Sequence, residues 1–223
     1  PKPYCGGMSS LPILFEDAEC LVINKPAGLD VTTPRRGGPS VEAMLGTLRL
    51  GFARAPTILH RLDKDTSGCL LLARTDRAHK RLQQAFEAGQ VSKTYLAIVE
   101  GLAEGDAGTI DIPLGKISSR EEGWRIVPDP KGKAARTHWR TLDRQAGRTL
   151  IEFTPETGRT HQLRVHALAG LDLPIAGDPV YGQPSALGML LHAVRLDVPR
   201  AGKPPIIAEA PWPDRFTRAG FAP

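Results

Sequence analysis

Apolar and polar positions along this chain follow two periods, and each change of period predicts where a strand gives way to a helix. Cys20 to Asn24 (CLVIN) is a continuous apolar run that reads as a buried strand, ended by the turn Lys25-Pro26-Ala27-Gly28. Ser40 stands ahead of Val41, Leu45 and Leu48, which share a helical face, so an N-cap and a short helix are expected. Gly68 to Ala73 (GCLLLA) is a second buried strand. Thr75 opens the clearest helix, with Ala78, Leu82, Ala85 and Phe86 in one stripe and Gly89 at its close. VSKTYLAIVEG predicts a strand around Tyr95. Residues 101–148 mix Gly, Pro and charge, which predicts hairpins and loops with short strands near Ile110 and Trp139. RTLIEFTP alternates as a strand, and THQLRVHALAG reads as a helix from Thr160 to a stop at Gly170. The proline-rich tail from Pro199 is expected to wrap the surface.

Strands joined by hairpins, with few helices between them, predict an α+β fold built on a mixed, largely antiparallel sheet with flanking helices and loops. A doubly wound parallel sheet would need a helix after nearly every strand. No stretch has the composition of a linker, so residues 11–223 are expected to form a single domain behind a loose tail, 1–10.

Composition changes this picture little. With 223 residues, 41% hydrophobic and 24% charged, the chain is too apolar for disorder. No run approaches the ~18 apolar residues of a membrane span. The start, PKPYCGGMSS, lacks the basic-then-apolar pattern of a signal peptide. Cys5, Cys20 and Cys69 are far apart and odd in number, which fits reduced thiols in a cytosolic protein rather than a disulfide framework or a zinc site. His161 and His166 lie about 140° apart around a helix and make a poor pair for one metal ion. A net charge of +5 permits nucleic acid as a partner without demanding it. Basic residues do recur in loops able to reach phosphates, Pro34-Arg35-Arg36-Gly37 and Lys131-Gly132-Lys133.

Chemistry concentrates in two blocks. The first, HRLDKDTSGCLLLAR, sets Asp63 beside His60, Arg61, Lys64 and Asp65, just ahead of a buried strand. Neighbouring cations favour the charged form of a carboxylate, and an ionised, positioned carboxylate serves as nucleophile or as stabiliser of positive charge. Thr66, Ser67 and Gly68 form a tight turn whose hydroxyls and amides could orient it. A charged turn capping a strand is the plain alternative. Asp63-Lys64-Asp65-Thr66 also fits D-x-D-x-T, the signature of Mg²⁺-dependent aspartate-nucleophile phosphatases. Those enzymes end an apolar strand at the first Asp and carry an acidic pair downstream, whereas HRL precedes Asp63 and no Asp-Asp pair follows it. The second block, ETGRTHQLRVHALAGLDLPIAGDPVYG, crowds polar and basic groups at a helix start, where backbone amides favour anions. Arg164 on that helix is expected to face a cleft while Leu163 and Ala167 pack; a solvated helix-face arginine is the alternative.

With both blocks in hand, the sequence resembles the RluA-type family of RNA pseudouridine synthases over most of its length, about Leu11 to Pro211. INKPAGLDV, HRLDKDTSGCLLLA, KTYLAIVEG, ETGRTHQLRVH, PIAGDPVYG and LLHA occur in the family's order. One departure is Thr33-Pro34, where the family commonly has His-Pro. The resemblance implies the pseudouridine synthase fold with a central active-site cleft, and isomerisation of a flipped-out uridine in tRNA, large-subunit rRNA or both. It implies Asp63 as the catalytic aspartate, with attack on the uracil ring, attack on the ribose carbon and proton abstraction from the ribose all left open. Arg164 would pair with that aspartate, and Tyr95 would stack on the base and relay the proton lost from carbon 5. Arg61 would enter the RNA stack, Leu191 would floor the flipped ring, and His60 and Thr66 would lie against the substrate. The reaction returns the same base to the same ribose, so no cofactor and no metal are expected. The expected protein is a cytoplasmic monomer away from membranes, a short form without the N-terminal RNA-binding domain that many relatives carry.

Overall fold

The structure, a computed structural model, describes residues 11–119 and 123–223. In chain order come β1 (Ile13–Glu16), β2 (Cys20–Lys25), α1 (Val41–Met44), a 3-10 turn (Leu45–Arg49), β3 (Thr57–Ile58), β4 (Ser67–Ala73) and α2 (Asp76–Glu87). Next are β5 (Ser92–Glu100), β6 (Ala107–Asp111), β7 (Leu114–Ser119), β8 (Gly123–Pro128), β9 (Arg136–Gln145) and β10 (Arg148–Pro155). The chain closes with α3 (Gln162–Leu171), β11 (Leu191–Val198), β12 (Ile206–Glu209) and α4 (Asp214–Arg218). Antiparallel strands dominate and helices are few, as the α+β reading expects. Contacts group these elements into two compact units, one reaching to Val91 and resuming over Ala193–Pro211, the other comprising Ser92–His192 and Trp212–Pro223.

In the first unit β2 pairs antiparallel with both β1 and β4, and β3 adds to β4. All seven residues of β4 are buried, which is why its sequence is a solid apolar run rather than an alternation. Cys69, Leu71 and Ala73 on one face meet Cys20, Val22 and the apolar stripe of α2. That helix begins where expected, since Thr75 Oγ1 accepts from the Ala78 amide at 3.1 Å. Burial pushes the thiols of Cys20 and Cys69 up to about 12, so both are protonated core residues. Cys5 lies outside the described residues. Gly68, at the start of β4, has φ +109°, and a Cβ there would sit 2.1 Å from the Ala193 carbonyl oxygen. Neither the backbone angle nor the space admits a side chain. Gly68→Ala is therefore expected to cost more than about 4 kcal/mol, read as a fall in the urea unfolding midpoint.

In the second unit β10 lies between β5 and β9, with β6 beyond β9, all antiparallel. Ile151 and Phe153 of β10 pack with Leu163 and Ala167 of α3. The structure corrects the sequence reading at three places. Around Trp139 the strand is ten residues long rather than short. It is paired on both sides but carries charges along an exposed face, so apolar alternation does not reveal it. Helix α3 does not stop at Gly170 but runs to Leu171 and ends at Asp172 in the left-handed region, φ 58°. Gly170 is instead a packing residue, because a Cβ there would meet Ile110 at 2.7 Å. The tail after Pro199 contributes β12, which pairs with β11, and α4, whose Phe216 is fully buried.

Candidate active site

Asp63 stands on the loop between β3 and β4, in the first unit. Arg61 is exposed, Leu62 is buried and anchors the loop, and Asp63 after them is half-buried. The Thr66 amide donates to the Asp63 carbonyl oxygen at 3.1 Å and closes a turn over Lys64-Asp65. Lys64 reaches Asp30 at 3.7 Å on the surface. Thr66, the last residue of that turn, is buried. His60 accepts the Leu71 amide on Nε2 at 3.0 Å and stacks on Phe86 at 5.0 Å, which ties the loop to β4 and α2. Asp63 thus precedes the apolar strand instead of ending one, which removes the geometry the phosphatase reading requires.

The loop is clamped from the other side by Lys25, a residue the sequence marks only as the start of a turn. Its side chain is fully buried, and Nζ donates to the carbonyl oxygens of Pro26 (2.9 Å), Leu29 (2.8 Å) and Lys64 (2.9 Å). Burying an ammonium is expensive unless charge-assisted bonds offset the lost water, and these carbonyls supply them. The Gly28 amide donates to the same Lys64 oxygen at 2.9 Å. The NKPAG turn therefore grips the residue next to Asp63. Lys25→Met should cost about 2–4 kcal/mol, the scale of lost bonds to a charged donor. It should also speed amide hydrogen exchange at Gly28 and Thr66; unchanged exchange at both would refute the clamp. Thr33 is occupied similarly: its amide donates to Glu42 at 2.8 Å and its hydroxyl bonds Ser40, the α1 N-cap, at 2.9 Å.

Tyr95, Arg164 and Leu191 belong to the second unit. Tyr95 lies opposite Phe153 in the β5–β10 ladder, half-buried against the apolar cluster that includes Leu191, Leu163 and Met189. Leu191 itself is buried. Two residues before Tyr95 on the same strand face, Lys93 has its ammonium pKa lowered by burial.

Arg164 is not a solvated helix-face residue, since its side chain is 6% exposed. Nε donates to Asp178 Oδ2 at 2.7 Å and Nη2 to Oδ1 at 2.8 Å, a bidentate pair on one edge of the guanidinium. Nη1 lies outside that pair. Asp178 is fully buried and also accepts the amides of Val180 (2.8 Å) and Tyr181 (3.1 Å). Burial alone would raise its pKa, but Arg164 and these two amides outweigh burial and hold it below the usual carboxylate value. The guanidinium also sits over the Tyr181 ring, 5.0 Å from its centroid. Tyr181 is fixed in turn, its hydroxyl accepting the Ile126 amide at 3.0 Å and bonding His161 Nδ1 at 2.9 Å.

Helix α3 is enclosed on more than the single face expected. Leu163 and Ala167 join the main cluster of the unit, while Val165 packs with Leu114, Ile126 and Ala135. Gln162 Nε2 donates to Thr137 Oγ1 at 3.0 Å, Thr137 meets His166 Nδ1 at 2.9 Å, and His166 Nε2 bonds the Ile112 carbonyl at 3.1 Å. The Ile112 carbonyl can only accept, so Nε2 carries the proton and Nδ1 receives the threonine hydroxyl. Burial lowers the His166 pKa and keeps this neutral tautomer. His161 stands just before the helix at φ 54°, so the two histidines serve separate networks.

The structure therefore brings His60, Arg61, Asp63 and Thr66 together on one loop and places Tyr95 and Leu191 at one apolar cluster. Arg164 follows the cluster residue Leu163 in sequence. Sequence reasoning missed Asp178, Tyr181 and Lys25. Their signal was present in PIAGDPVYG and INKPAGL, each a charged residue beside a proline at a turn, but nothing in one dimension names the partner.

A family model described as RNA pseudouridylate synthase matches residues 19–169. An uncharacterized RNA pseudouridine synthase of Zymomonas mobilis is 57% identical over 94% of this chain and 97% of its own length. The same organism's ribosomal large subunit pseudouridine synthase D is 41% identical over 82% of this chain, which spans 60% of that protein. Among solved structures, human RNA pseudouridylate synthase domain containing 4 aligns with a TM-score of 0.78 at 28% identity, over 93% of this chain and 91% of that one.

Proposed function

Because the chain belongs to the RNA pseudouridylate synthase family, we propose that it isomerises specific uridines in large-subunit rRNA, in tRNA, or in both, with Asp63 driving glycosidic cleavage. The observation that carries this reading is the family match over residues 19–169, which includes Asp63, Tyr95 and Arg164. The relative named for the large ribosomal subunit supports rRNA as the first substrate to test.

In the proposed mechanism the target uridine leaves the RNA stack, Arg61 takes its place, and Leu191 and Tyr95 receive the ring. The N1–C1′ bond breaks with Asp63 at the sugar or the base, the uracil turns, and a C5–C1′ bond forms. The proton on C5 departs by way of the Tyr95 hydroxyl, and N1 gains one, so the base ends as an isomer with no change in composition. Arg164, aimed by Asp178 and Tyr181, holds the catalytic carboxylate in its charged form. His60 and Thr66 keep the Asp63 loop in shape beside the substrate. Residues 11–223 would act as the catalytic part of the protein, as a monomer.

The test is a map of pseudouridines in rRNA and tRNA from cells lacking this gene, with and without complementation. One or more sites should vanish on deletion and return with the wild-type gene but not with Asp63→Asn. A map unchanged by deletion refutes the proposal.

A further inference from the structure

The second unit contains a cleft of about 530 Å³ between the β7–β8 hairpin, the turn at 130–133 and the residues leading into α3. Its lining includes Lys116, Trp124, Lys131, Lys133 and Arg159. The four cations are exposed, and the Trp124 side is 47% exposed, unusual for so large an apolar ring. Leu114 and Ile126, which also line the cleft, are buried and cluster with Ala135 and Val165. The hairpin is in continuous register from Leu114↔Pro128 to Ser119↔Gly123. Lys133 exchanges both backbone hydrogen bonds with Leu114 at 2.9 Å, which pins the basic turn to β7.

Two features orient this cleft toward a ligand of one kind. Trp124 meets the His161 ring edge-on at 5.2 Å and 87°, so the indole is braced from one side, while Lys116 Nζ lies 6.0 Å from its centroid. Among the described residues, the Asp129 carboxylate accepts the Lys131 amide at 2.9 Å and so serves the turn itself. Four positive side chains around a braced, half-exposed indole suit a ligand with both a flat ring and a phosphate. Proteins that hold single strands combine these two elements, an aromatic platform for a base and cations for the backbone. A volume of about 530 Å³ is of nucleotide scale.

We propose that this cleft is a second RNA site, which stacks one single-stranded base of the substrate, other than the reacting uridine, on Trp124 and holds its phosphates with Lys116, Lys131, Lys133 and Arg159. The proposal rests on the reading of the chain as an RNA-modifying enzyme. None of Lys116, Trp124, Lys131 and Lys133 falls in a motif assigned above to catalysis.

The test uses the full chain with two probes, a hexauridylate single strand and a 23S-type rRNA fragment that the enzyme modifies. Hexauridylate should quench tryptophan fluorescence in the wild type and lose most of that quenching in Trp124→Phe, which keeps a ring but not the indole. Trp124→Ala should raise the KM for the rRNA fragment about tenfold, the effect of one lost base stack, with much less change in kcat. Trp124→Phe should recover most of that loss. Changing Lys131 and Lys133 together to Gln should flatten the slope of log affinity against log salt by about 1.4, or about 0.7 per phosphate contact. Unchanged KM in Trp124→Ala with an unchanged salt slope in the lysine variant would overturn the proposal. So would a fall in kcat and melting temperature without a rise in KM, which marks a purely structural hairpin. If the wild type modifies no RNA yet hexauridylate quenching depends on Trp124, the enzyme reading fails while the cleft stands.

Discussion

Asp63→Asn should abolish isomerisation, with a loss of at least about 10⁴-fold in single-turnover rate, or about 5.4 kcal/mol of transition-state stabilisation. The substitution is nearly isosteric and keeps the backbone bond by which the Asp63 carbonyl closes the turn to Thr66. Thermal melting is read beside the rate, so that the loss of turnover is assigned to a folded variant. RNA affinity should stay within severalfold, because the loss is one carboxylate and not a phosphate contact. The rate is read from tritium released by carbon-5-labelled uridine in RNA, and affinity from binding of the same RNA. Substantial release by a folded Asn variant would remove Asp63 from the chemistry and with it the proposed mechanism.

Arg164→Met should fail in two ways that can be separated. A rate loss of at least about 100-fold, or about 2.7 kcal/mol, is expected if the guanidinium acts on the catalytic carboxylate. A second loss, of about 3–5 kcal/mol in stability, is expected because the buried Asp178 is left without its bidentate partner. The double variant Arg164→Met with Asp178→Leu removes both charges, so much of the stability should return while the rate stays low. Recovery of rate along with stability would show that Arg164 only holds the fold. Arg164→Lys should keep charge but not the planar fork, and restore only part of either. The pair also has a pH signature. With its folded pKa depressed, Asp178 adds stability above the ordinary carboxylate value of about 3.9, and that stability fades as pH falls toward the folded value. Acid titration of unfolding should show this loss in the wild type and not in the double variant.

Local structure followed sequence wherever neighbours along the chain decide the outcome. Thr75 and Ser40 cap their helices through amides three residues on, and β4 is an apolar run because both of its faces are covered. The form of the Asp63 loop was legible too, since its turn and following strand are contiguous. Long-range packing set the rest. Strand β9 escapes the pattern because its pairing on both sides is made by backbone, while its side chains remain polar. Gly170 looks like a helix stop and is a contact with Ile110, sixty residues earlier in the chain. Arg164 reads equally well as solvated or buried until Asp178 is brought beneath it, and Lys25 reads as a turn residue until the Lys64 carbonyl closes its cage. Sequence by itself determined which residues carry charge and where the chain turns. Only the tertiary structure decided which charges lost their water, because a buried ion is stable only with all its partners, and Lys64 for Lys25 and Asp178 for Arg164 come from other segments of the chain.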